Sequence, residues 1–220
     1  MNRPRSASAE WQHELLARFK RFAWLKAAGT TAFIWIFFVA YFDILHHPAH
    51  PVLPMPLTWL DDLIAFQPPA LIAYASLWIY VSVPPALLHS FRELLAYACW
   101  TAALCLAALV CFHFWPTAVP AYPIDPTVFP GFRIIKGLDA PGNACPSLHV
   151  ATAAFSVIWM HHLLRLIGTP GWLRTANWLW FVLIVYSTLA TKQHVALDVF
   201  AGLLLGFAFA VPSLRLRPAR

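Results

Sequence analysis

LLAYACWTAALCLAALVCFHFW, residues 94–115, contains no Asp, Glu, Lys or Arg and is rich in aliphatic and aromatic side chains. A helix needs about 20 mostly apolar residues to cross the hydrocarbon core of a bilayer, and this stretch supplies them. Other uncharged runs cover 27–42, 63–91, 140–164, 175–191 and 199–214. The pattern predicts an all-α integral membrane protein, a bundle of six transmembrane helices. They are expected over about 26–45, 69–89, 93–115, 146–166, 173–190 and 194–214, with a long outer-face loop between the third and the fourth. Composition agrees: of 220 residues 60% are hydrophobic and only 11% charged, with a mean hydropathy of +0.65. Soluble domains carry about 25% charged residues, so both a disordered chain and an ordinary soluble domain are excluded.

Working outward, residues 1–25 form a basic, partly amphipathic N-terminal segment with Trp11, Leu15, Phe19 and Phe22 on one face. Such a segment is expected to lie at the membrane surface. Residues 26–220 then make one six-helix membrane domain. No small-residue cleavage site follows the N-terminal apolar run, so the first helix is expected to be retained. Residues 58–66 have the length of a short interfacial helix, and Pro84-Pro85 is expected to bend the end of the second span. The connection 116–145 is long for a tight bundle, and such loops are commonly functional.

Six spans fix alternating sides, which the basic residues test. With both termini in the cytoplasm, 12 of the 15 Lys and Arg fall inside and three, Arg133, Lys136 and Lys192, fall outside. That is a strong positive-inside bias. The net charge of +6 is thereby explained by topology, and no basic stripe with interleaved aromatics points to nucleic acid. The four cysteines are too few and scattered for a disulfide framework or zinc site. Cys99, Cys105 and Cys111 read as small buried hydrophobes.

The same outer face receives two helix starts. One opens Cys145-Pro146-Ser147-Leu148-His149, with proline suited to a first helical turn and the helix N-terminus suited to an anion. The other opens Lys192-Gln193-His194-Val195-Ala196-Leu197-Asp198. His194 and Asp198 are four apart and hence on one helical face, where the carboxylate can fix the imidazole tautomer. Ionisable groups within spanning segments are functional candidates by default. Two histidines, a carboxylate, a helix N-terminus and three cations are the parts that phosphoryl transfer needs: a nucleophile, an acid, and fixed positive groups for the nonbridging oxygens.

At these residues the chain resembles the type 2 phosphatidic acid phosphatase superfamily. Pro146-Ser147-Leu148-His149 and Thr191-Lys192-Gln193-His194-x-x-x-Asp198 are similar to its second and third signature motifs. They stand in the same order, with about 45 residues between the two histidines. Leu148 and the form of the third motif look nearest to the branch that includes inositol phosphorylceramide synthases. The resemblance implies that His194 is the nucleophile, Asp198 its partner and His149 the general acid. It assigns Ser147 to phosphate binding, and it implies no cofactor and no metal. Two departures stand out: the third motif's arginine falls at Thr188, and the first motif is absent as such. By topology, the phosphate role is therefore expected of Lys192, Arg133 and Lys136.

The expected function is a membrane-embedded phosphatase or phosphotransferase that cleaves a lipid phosphate or diphosphate through a phosphohistidine. Its site is expected on the periplasmic face of a bacterial inner membrane. Water as acceptor gives a phosphatase, an alcohol a head-group transferase, and the residues leave that choice and the oligomeric state open. A non-enzymatic lipid-phosphate binder or transporter is the rival from another class. A Cys145 nucleophile, with its thiol pKa lowered by the helix N-terminus, is a further alternative. His46, His47 and His50 read as a solvated Pro/His loop rather than a metal site, and His161-His162 as packing. Asp139 and Asn143 read as turn residues, and Gly202 and Gly206 as a close helix-packing stripe.

Overall fold

The computed structural model describes residues 7–123, 125–129, 131–133 and 142–217. The chain runs α1 (Ala7–Lys20), α2 (Ala23–His46), α3 (Trp59–Leu63), α4 (Leu71–Ala75), α5 (Leu77–Leu87), α6 (Phe91–Phe114), α7 (Leu148–Ile167), α8 (Gly171–Ala190) and α9 (Ala196–Arg215). Among the described residues, five stretches are long and apolar enough to cross a membrane: Ala23–His46, Pro68–Leu87, Phe91–Phe114, Leu148–Ile167 and Ala196–Arg215. The expectation was six. The remaining helix, α8, has 20 residues, but Arg174, Thr175 and Asn177 in its first half reduce its apolarity.

Local chemistry explains most boundaries. Ser90 accepts from the Glu93 N–H while the Glu93 carboxylate accepts from the Ser90 N–H, a reciprocal cap that starts α6. Gly168, in the left-handed region at φ 77°, ends α7. The second expected span divides at Ser76 into α4 and α5, and Pro84 and Pro85 lie buried in the last turn of α5. Two expected starts move. Pro146 stands outside α7, joined to Cys145 by a cis peptide bond, and Ser147 is the N-cap, its hydroxyl accepting from the Val150 N–H. His194 stands outside α9, whose N-cap is Val195. Of the cysteines read as buried, Cys105 is buried and Cys99 exposed.

α7 is the centre of the bundle. Twelve of its 20 residues are buried, with Phe155 and Trp159 packed against Tyr97 of α6. α9 lies so close to it that a side chain at Gly202 or Gly206 would strike the carbonyls of Ser147 or Ala151. Trp11 and Leu15 of α1 pack on the same core, while Phe19 and Phe22 are exposed.

The loops that follow α2 and α6 are stitched together. Leu53–Pro54 and Thr117–Ala118 pair as short parallel strands, and Ala118 forms an antiparallel bridge with Gly142. The Ala144 N–H donates to the Thr117 carbonyl and the Cys145 N–H to the Thr117 hydroxyl. These bonds fix the approach to α7 against the end of α6.

Candidate active site

Ser147 is fully buried, and its N–H donates to the Asp198 carbonyl at 2.9 Å. That bond ties the start of α7 to the first turn of α9. In the first turn of α7, the His149 ring stacks on Tyr74 with 4.4 Å between centroids, and Trp78 meets it edge-on at 5.9 Å. Two aromatic walls therefore hold this imidazole.

The turn before α9 is tight. Lys192 takes a left-handed conformation at φ 57°, and the N–H groups of Gln193 and His194 both donate to the Thr188 carbonyl. The turn returns the chain so that His194 Nδ1 meets Asp198 Oδ2 at 3.2 Å, with both residues buried. The pair forms between a turn residue and the third residue of the helix, not across a helical face. The rings of His149 and His194 are 5.8 Å apart, so the structure brings together Ser147, His149, His194 and Asp198.

Asp61 was not foreseen as a site residue. It is 3% exposed; Oδ2 accepts from Thr58 N–H and Oγ–H, and Oδ1 accepts from the Ala196 N–H at 2.8 Å. It thus caps α9 from 135 residues away, satisfying a donor that the helix itself leaves unpaired. The Thr58-x-x-Asp61 spacing is a local capping signal, but nothing local in the sequence announces Ala196 as a partner. The stacking of Tyr74 on His149 was likewise hidden.

The cations are placed less uniformly. The Lys192 ammonium donates to the Asp61 carbonyl at 2.7 Å and the Ile64 carbonyl at 2.5 Å, and lies 4.9 Å from the centre of the Tyr122 ring. An ammonium has three donors, and these carbonyls take two. Arg133 is exposed beside Phe132, whose buried ring packs near Phe66. Lys136 lies outside the described residues, as does Asp139. Thr188 is fully buried, with its hydroxyl turned onto the Val185 carbonyl of its own helix.

Burial, and then the negative charge of Asp198 and the Cys111 thiol, push the Cys145 thiol up to about 11. Its surroundings thus disfavour the thiolate, opposite to the effect expected from the helix N-terminus. Tyr122 is pushed up to about 12 by burial and then by Asp61, Asp198 and Asp62, so its hydroxyl keeps its proton. His47 pairs with Asp43 at the surface, and His50 lies 6.5 Å from His113 between ring centres. Among the described residues no group of three or more His, Cys, Asp or Glu is arranged to hold a metal ion.

Beneath the histidines an apolar cavity of about 780 Å³ opens between α2, α5, α6 and α7, with His149, His194 and Gln193 at one end. The architecture is that of an integral membrane protein whose polar centre sits above a space suited to hydrocarbon. Residues 112–220 match the family model of the PAP2 superfamily. That match supports the type 2 phosphatidic acid phosphatase superfamily and indicates an enzyme of the lipid phosphatase/phosphotransferase class. That class displaces the non-enzymatic binder. No curated protein and no solved structure matches the chain.

Proposed function

We propose that the protein cleaves a phosphate ester or diphosphate of a lipid through a phosphohistidine on His194. The observation that carries this reading is the His149–His194–Asp198 group at the mouth of an apolar cavity. Asp198 engages Nδ1, which makes Nε2 the attacking nitrogen and offsets the charge that the ring gains. In the first step the Nε2–P bond forms and the P–O bond to the lipid breaks, with His149 giving its proton to the departing oxygen. In the second, water attacks the phosphorus, His149 takes its proton, the N–P bond breaks and phosphate leaves. Backbone N–H groups at the start of α7, Ser147 and the third donor of Lys192 are the phosphate contacts in this scheme, with Arg133 and Lys136 approaching from the loop. No metal takes part.

An alcohol in place of water makes the same residues a head-group transferase. The Leu148 form of the second motif favours that variant, as in the inositol phosphorylceramide synthase-like branch. The positive-inside distribution supports α8 as a sixth crossing, with both termini cytoplasmic and the site on the outer face, fitting a bacterial inner membrane.

The test is phosphate release from phosphatidate, lysophosphatidate, undecaprenyl diphosphate and sphingoid phosphates in the presence of a chelator. His194→Ala is expected to lower release about 10³-fold or more, the scale of losing a catalytic nucleophile. Equal release by both proteins overturns the mechanism. No release by either moves the assignment to the head-group transferase, measured with an added alcohol acceptor.

A further inference from the structure

The cavity below the histidines is deeper than one membrane leaflet. Along α2 its wall runs from Tyr41 to Lys26, a drop of 15 residues, or about 22 Å at 1.5 Å per residue. Half of a hydrocarbon core is about 15 Å. The floor includes Leu25, Lys26, Pro85 and Phe91. There the Lys26 ammonium is fastened to the Arg18 and Ala86 carbonyls, at 2.8 Å each.

The lining is oilier than its residue names imply. The hydroxyls of Ser82, Thr101 and Thr152 donate to the carbonyls of Trp78, Tyr97 and Leu148 in their own helices. Their hydrogen-bonding capacity is spent on the helix behind them. One position in the lower half is unfilled: a Cβ built at Gly29 meets nothing within 4 Å.

We infer that the lower half of this cavity, around Gly29, sets the length of hydrocarbon chain that the enzyme accepts. The site thereby selects lipids whose chain reaches beyond the bilayer midplane. The inference rests on the reading of His149 and His194 as the place where the phosphoryl group sits. A chain attached to that group descends along α2, and its far end lies against the floor. Bulk lipid in the bilayer offers an equally apolar surrounding, so selection comes from fit and exclusion rather than from transfer out of water.

Gly29→Phe fills the lower half, and Ala98→Phe does so from α6, whose Ala98 also lines the cavity. Each is tested against short-chain and long-chain members of one phosphate-ester series. The expected result is a fall of about tenfold or more in the ratio of long-chain to short-chain kcat/KM, the scale of forcing extra methylenes into filled space. A non-hydrolysable long-chain phosphonate with a diazirine at its chain end gives a second readout that needs no turnover. It is expected to label 25–33 and 91–98 more strongly than a phosphatidylcholine carrying the same diazirine. An unchanged ratio in both variants, or equal labelling by the two probes, overturns the inference and makes the cavity a bulk-lipid face. Labelling of the floor by the phosphonate, together with wild-type protein that releases phosphate from neither chain, upholds the chain site and removes the chemistry assigned to the histidines.

Discussion

α7 and α2 are both long apolar helices, yet they are held in opposite ways. In α7 two thirds of the most apolar window is buried, whereas in α2 none of it is, and Lys26 is that helix's one fully buried residue. Trp35 and Ile36 on α2 are more than 60% exposed, where lipid covers them. Apolar content does not separate the two, since both are rich in Ala and β-branched residues. The difference is the size of the neighbour: Gly202 and Gly206 let α9 reach the α7 backbone, while the aromatic rings of α2 hold it away from α5 and α6. Close approach frames the polar centre, and separation leaves the apolar cavity.

The largest expected effect attacks the close side. Gly202→Val drives a branched side chain into the Ser147 carbonyl, so α7 and α9 must part. The expected cost is about 1–3 kcal/mol, read as a lower unfolding midpoint in detergent, together with loss of phosphate release as the Ser147–Asp198 bond breaks. Retention of both would show that the contact is slack. A smaller effect comes from Asp61→Ala, which removes the cap on α9 at about 1 kcal/mol. It is expected to lower kcat more than it changes KM, because Asp198 lies in the turn that the cap holds. Asp61→Asn keeps an oxygen for the Ala196 N–H but turns an amide donor onto the Thr58 N–H, so it should restore only part of the loss; no rescue at all would show that the cap on α9 is not what matters. The smallest belongs to the separate side. Trp35→Ala should change stability by less than about 0.5 kcal/mol, as for other substitutions that leave packing intact. A larger shift in the midpoint would mean that α2 is packed more firmly than its exposure indicates.

The two sides also differ in how much of them the sequence could reveal. His149, His194 and Asp198 are legible because short motifs keep chemistry and spacing together. The helix starts were each displaced by two residues, since Pro146 and His194 obey turn geometry that apolar periodicity does not encode. Asp61 was not foreseen because its meaning depends on Ala196, and long-range pairing leaves no local trace. Lys192 stands out in the sequence as an unusual cation, but topology does not show that its ammonium grips the end of α3. The apolarity of the spans was legible, while the space between α2 and its neighbours was not: periodicity says which faces are oily, not how far apart they stand.

The fastening of α2 has a mechanical consequence. Near its N-terminus Lys26 is tied to Ala86, and near its C-terminus the Tyr41 carbonyl accepts from the Asn143 amide. Between these ties few side chains are buried, and low burial marks the parts of a protein that yield first. A beam clamped at both ends and loaded from the side bows at mid-span. On the proposed reading, a lipid chain presses in from the membrane plane while both ends stay latched, and a spent chain slides back out the same way without the loops beside the histidines opening to water.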